Sequence, residues 1–173
     1  MAKLIVGKEV ANVIALYRKA GGRIDTCAKR AVYKGAGQMA DAIKQELKAL
    51  PTVSDKNGLP PYAPAGTKLK SISKVQKRDL IDSLGISGFD KGERADVTVG
   101  GYISVKIGFD GYGSYPTESY PEGIPNQLLM RSLEKGTSFL KKNSVVTKTV
   151  KRMRQTVEIT IADEMMKLLK KEF

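Results

Sequence analysis

Histidine is missing from all 173 residues, and with it the commonest general base at neutral pH and the commonest transition-metal ligand. Most hydrolase and metalloenzyme chemistry is thereby excluded. Cysteine occurs once, at Cys27, so no internal disulfide can form, and the expected role is a small buried side chain. No run of about 18 apolar residues is present. The opening Met1-Ala-Lys-Leu-Ile-Val-Gly7 is too short and too soon interrupted to be a signal-peptide core. A cytoplasmic chain with no membrane contact is expected. Acidic residues are also scarce: 18 Asp and Glu stand against 30 Lys and Arg, a formal net charge of +12, which favours a polyanionic neighbour.

What remains is enough for one core. The 41% hydrophobic content and the length fit a single domain over residues 1–173. The basic excess sits in residues 1–85 and 124–173. Between Ile86 and Gly123 the chain is locally acidic, with Asp90, Glu93, Asp96, Asp110, Glu118 and Glu122 against Lys91, Arg94 and Lys106.

Apolar spacing predicts the elements. Val10, Val13, Ile14 and Tyr17 predict a short amphipathic helix over Glu9–Lys19, stopped by Gly21-Gly22. A longer helix over Ile24–Leu50 carries a stripe of Ile24, Ala28, Ala31, Gly35, Ala42, Ile43, Leu47 and Leu50, and Pro51 ends it. Within it, Gly35-Ala-Gly37-Gln-Met-Ala40 matches the dinucleotide fingerprint G-x-G-x-x-A. That fingerprint needs a preceding strand and a tight turn, so close helix packing is the expected use here.

Residues 51–73 hold Pro51, Gly58, Pro60, Pro61, Pro64 and Gly66 and read as a long flexible loop or arm. Val75–Leu84 predicts one or two helical turns leading into strands at Leu84–Phe89, Ala95–Val99 and Tyr102–Phe109, an antiparallel meander with turns at Asp90–Glu93 and Gly100-Gly101. Residues 110–123, rich in tyrosine and glycine, read as a second irregular loop. Helix resumes over Pro125–Lys135 and closes at Gly136-Thr-Ser138. The strongest periodicity follows, from the mid-140s to about Lys171, through Val146, Val150, Met153, Val157, Ile161, Met165 and Leu168.

The expected fold class is therefore α+β, a small antiparallel β-meander packed against two long helices with long loops. Lys148, Lys151, Arg152 and Arg154 on the last helix are the candidate DNA-facing residues, suited to phosphates without sequence reading. A carboxylate-and-metal nuclease would best use Asp96 with Lys106, but Ser104 stands where its second acidic residue should be. No catalytic, cofactor-binding or metal site is expected.

Leu129-Met-Arg-Ser-Leu-Glu-Lys-Gly-Thr-Ser138, followed by Phe139, resembles the helix ending "E-x-G-T-S" of the HK-ninety-seven gene-product-ten-like family of bacteriophage proteins, tail components or tail-completion proteins at the phage neck. Three more features are similar to that family in the same order. The early helix breaks at Leu50-Pro51; Leu80-Ile-Asp-Ser83 introduces a strand; and Ile107-Gly-Phe-Asp-Gly-Tyr112 ends a strand before a glycine and tyrosine loop. The likeness spans roughly Val10 to Phe173. The chain departs from the pattern in a longer, more basic loop before Leu80, and in Lys141-Lys-Asn-Ser-Val145 where the family has a Pro-Phe approach to the last helix.

The resemblance implies a structural virion protein of a long-tailed phage, made in the host cytoplasm and placed at the head-tail junction. Its expected partners are further copies of itself in a ring, expected hexameric, with the neighbouring connector or stopper, the tail tube or tail terminator, and packaged DNA in the channel. Tyr62, Tyr112, Tyr115 and Tyr120 are the candidate intersubunit loop contacts. The alternatives are a non-specific DNA-binding protein using its basic helical faces, and a host-modulating binding module.

Overall fold

The computed structural model describes residues 2–5, 24–55, 60–89 and 103–172. In chain order the elements are β1 (Ala2–Ile5), α1 (Ile24–Ala49), α2 (Lys74–Ser83), β2 (Leu84–Ile86), β3 (Ser104–Phe109), α3 (Asn126–Lys135) and α4 (Val145–Glu172). The fold is α+β, with four helices and a small antiparallel sheet among the described residues. These residues gather into two units. The first comprises 41–85 and 108–151, the second 2–40, 86–107 and 152–173. The expected helix over Glu9–Lys19, the strand Ala95–Val99 and the turns Asp90–Glu93 and Gly100-Gly101 lie outside the described residues.

In the second unit the small-residue stripe of α1 explains itself. Cys27, Ala28, Ala31, Val32, Ala36 and Met39 are buried at three- and four-residue steps. A methyl group placed on Gly35 would fall 2.7 Å from Ile161 Cδ1, closer still to its Cγ1, and 3.2 Å from Val157 Cγ1. Glycine lets α1 and α4 approach at this point, which is the close packing expected of the G-x-G-x-x-A segment. Gly37 has nothing within 4 Å of the same hypothetical atom. On the flank, Lys34 pairs with Glu164, and that ammonium holds the Glu164 carboxyl below its ordinary value.

The buried row of α4 differs in detail from the expected stripe. Val145, Thr149, Val157, Ile161, Met165 and Leu169 are buried, whereas Val146, Val150, Met153 and Leu168 are half-buried. The row follows four-residue steps and passes through a threonine. Thr149 is accommodated because its hydroxyl donates to the Val145 carbonyl at 2.8 Å, leaving no polar group unsatisfied.

The sheet order is β1-β3-β2. β1 lies antiparallel to β3 in the register Ala2 to Ile107 through Ile5 to Ser104. On the other side of β3, Ser87 N donates to Lys106 O at 2.8 Å and Asp110 N to Ser83 O at 3.0 Å, an antiparallel sequence of partners. Ile103, Val105, Ile107 and Phe109 are buried as the alternation predicts. The added finding is β1 itself, four residues within a stretch that sequence reading weighs only against a signal-peptide start.

The first unit is built on helix ends. α1 stops at Leu50-Pro51, and its free carbonyls are taken by Lys77 Nζ, 2.9 Å from both Lys48 O and Leu50 O. α2 begins with a reciprocal capping box, in which Ser73 Oγ accepts from Gln76 N and Gln76 Oε1 accepts from Ser73 N, both at 3.1 Å. Ser73→Ala is expected to cost about 1–2 kcal/mol, read as a lower denaturant midpoint. Leu47, Ile72, Leu80, Leu133 and Leu140 form the core of this unit.

Candidate functional site

The segment Glu134-Lys-Gly-Thr-Ser138 makes the corner between α3 and α4. Gly136 adopts φ +75°, the left-handed conformation that ends a helix, and its N–H returns to Ser132 O at 2.8 Å. Thr137 Oγ1 then accepts from Phe139 N at 3.3 Å and Leu140 N at 3.0 Å. Glu134 reaches forward to the start of α4, where its carboxylate accepts from Val146 N at 2.6 Å, Thr147 N at 3.3 Å and Thr147 Oγ1 at 2.6 Å. An anion at a helix N-terminus satisfies orphan N–H groups and opposes the helix dipole. The Glu, Gly and Thr of the motif therefore each have a mechanical role in the turn.

The corner is tied to the proline-rich segment. Leu69 N donates to Phe139 O at 2.8 Å and Lys141 N to Leu69 O at 2.9 Å, while Val53 N donates to Ile72 O at 2.9 Å. Residues 51–73 contain no helix where described, and these bonds hold both ends of the segment. Residues 56–59 lie outside the described residues.

Between this segment and α3 lies an apolar cavity of about 480 Å³. Pro61, Leu69, Ile72, Leu128, Leu129 and Leu140 line it, and Tyr62, Tyr120 and Phe139 stand at it as exposed aromatic side chains. Its polar lining is small: Ser71, Gln76 and Ser132. Ser71 is 1% exposed and its Oγ has no hydrogen-bond partner. A volume of this size, mostly apolar with a few polar atoms, has the general character of a binding site.

The tyrosine loop divides the expected contact residues. Tyr62, Tyr112 and Tyr120 are exposed, at 84%, 58% and 37%. Tyr115 is 6% exposed and so is withdrawn from the surface role expected of it. Its hydroxyl donates to Asp55 Oδ2, with Ser73 Oγ 3.5 Å away, and next to it Ser114 N and Oγ both donate to Asp79 at 2.7 Å. Hydropathy does not separate Tyr115 from its neighbours; the partner Asp55 lies 60 positions away.

The hydroxyl of Tyr115 holds the Asp55 carboxyl below its ordinary value, and burial, followed by that hydrogen bond, raises the Tyr115 phenol. The signs oppose each other. The lowered Asp55 stabilises the fold above its unfolded value near pH 4, and that contribution is lost as pH falls through the lower folded value. The raised Tyr115 contributes below about pH 10, and its contribution is lost as pH rises through the folded value. Tyr115→Phe is expected to flatten both limbs of stability against pH in denaturant titrations. Limbs as steep as those of the parent protein would contradict it.

Lys148, Lys151, Arg152 and Arg154 are all exposed on α4. Arg154 Nε is 3.0 Å from Glu158 Oε1, so its charge is locally opposed. Asp96 of the carboxylate pair lies outside the described residues, and Lys106 is exposed while Ser104 is buried. Cys27 is buried, as expected. Among the described residues no three His, Cys, Asp or Glu side chains are grouped to hold a metal ion, and no helix is long and apolar enough to cross a membrane. No protein-family model, curated protein or solved structure matches the chain.

Proposed function

We propose that this chain is a structural virion protein of a long-tailed bacteriophage, a ring-forming subunit of the head-tail junction that assembles with copies of itself and performs no catalysis. The reading is carried by the Glu134-x-Gly-Thr-Ser138 corner, which resembles the neck family's helix ending and here forms a hydrogen-bonded turn between two helices. The exposed aromatic side chains beside an apolar cavity support it, because apolar surface of that kind marks contact between proteins. The virion is the proposed location, with the connector or stopper above and the tail tube or terminator below as neighbours.

Light scattering and negative-stain imaging across a concentration series, with and without purified phage tails, test the proposal. Closed rings, alone or on tail ends, are the expected result. The competing reading takes the exposed Lys148, Lys151 and Arg152 as a phosphate-binding face. A chain that ignores tails and binds duplex DNA with a steep salt slope would replace the first reading with the second.

A further inference from the structure

The cavity of the first unit asks for an occupant of mixed character. Its walls are almost wholly apolar, yet Ser71 Oγ is buried there with neither its proton nor its lone pairs used. A buried hydroxyl left in that state costs stability, and an occupant with an apolar body and one hydrogen-bonding tip relieves it. A tyrosine side chain has that build, since its phenol both donates and accepts.

The chain displays four exposed tyrosines among its described residues. Tyr62 and Tyr120 already line the cavity, and the ring of Tyr33 rests against Phe89 at a centroid distance of 6.0 Å. Tyr112 is different. It is 58% exposed in the loop after β3, it is not part of the cavity lining, and its hydroxyl has no hydrogen bond among the described residues.

We propose that the cavity is a socket for Tyr112 of a second copy of this chain, the ring entering between Leu128, Leu129 and Leu140 and the phenol hydroxyl meeting Ser71 Oγ. Socket and knob are different surfaces of the same unit, so the contact is head-to-tail, the kind that closes into a ring when the rotation permits. The inference rests on the ring reading and adds to it the residues that join one subunit to the next. It also gives the aromatic rim a purpose, because Tyr62, Tyr120 and Phe139 exclude water around the inserted phenol, as the surround of an interface anchor does.

Sedimentation of wild type, Tyr112→Ala, Tyr112→Phe and Ser71→Ala reads the contact directly. Tyr112→Ala is expected to weaken self-association at least about 30-fold, the effect of losing a central anchor. Tyr112→Phe and Ser71→Ala, which remove one partner of a single hydrogen bond, are each expected to weaken it about 3- to 10-fold. Circular dichroism and thermal unfolding of the Tyr112 variants should match the wild type, because the side chain is exposed.

A photoreactive p-azidophenylalanine at position 112 is expected to cross-link to a second chain at residues of the cavity wall, such as Leu128 or Ser132. Rings that form equally well with Tyr112→Ala, or cross-links that map elsewhere, would overturn the socket and leave the ring reading intact. A wild-type chain that stays monomeric at every concentration and on tails would overturn both.

Discussion

Alanine at Gly35 is expected to destabilise the protein by about 1–3 kcal/mol, whereas alanine at Gly37 is expected to stabilise it by up to about 1 kcal/mol. Both positions are helical and both belong to the same G-x-G-x-x-A segment, so intrinsic helix propensity favours the change at each. What separates them is space. At position 35 the new methyl overlaps Ile161, and α1 and α4 must separate or Ile161 must leave its rotamer; at position 37 it meets nothing within 4 Å.

Thermal unfolding should move in opposite directions for the two variants, by roughly 2–4 °C for each kcal/mol in a chain of this size. Ile161→Ala alone opens a cavity and is expected to cost about 2–5 kcal/mol, but combined with Gly35→Ala it should cost less than the sum, because each change makes room for the other. Equal shifts for Gly35→Ala and Gly37→Ala would mean that the close approach at Ile161 does not limit the packing.

Removal of the Glu134 side chain is the second large effect. Its carboxylate receives two backbone N–H groups and one hydroxyl at the first turn of α4. Hydrogen bonds to a charged acceptor are worth more than neutral ones, and no other side chain is bonded to these two N–H groups. Glu134→Ala is expected to cost about 2–3 kcal/mol, and Glu134→Gln about half of that, since the amide keeps one acceptor and loses the charge. Chemical denaturation at neutral pH reads both. A loss under about 0.5 kcal/mol for the alanine variant would show that water replaces the carboxylate without penalty.

These two sites show which parts of the fold are legible in the residues alone. The four described helices are readable because three- and four-residue apolar spacing, proline at position 51 and glycine at position 136 are local signals. The α4 stripe shifts by one position toward each end because Thr149 counts as polar in any hydropathy pattern, although its bond to Val145 O makes it suitable for burial. β1 escapes notice for a different reason. Four residues carry almost no periodicity, and their meaning depends on a partner strand about a hundred positions away.

The candidate site is legible only in part. Composition singles out the tyrosines of the loops, but nothing local distinguishes Tyr115, drawn inward by Asp55, from Tyr112, left outside. The cavity itself has no sequence signal, because its walls come from the proline-rich segment, α3 and the corner after it. The motif ending at Ser138 is visible as a pattern without a mechanism. The mechanism lies in the reach of Glu134 to the backbone twelve and thirteen residues further on.

The pairing of β1 with β3 also sets a clock for synthesis. Residues 2–5 leave the ribosome about a hundred positions ahead of residues 104–107, the strand they join. At ordinary elongation speeds that interval is roughly 5–20 s. For that time a nascent chain carries an unmatched strand edge, and crowded polysomes making the same protein would offer it the β3 of a neighbour as readily as its own.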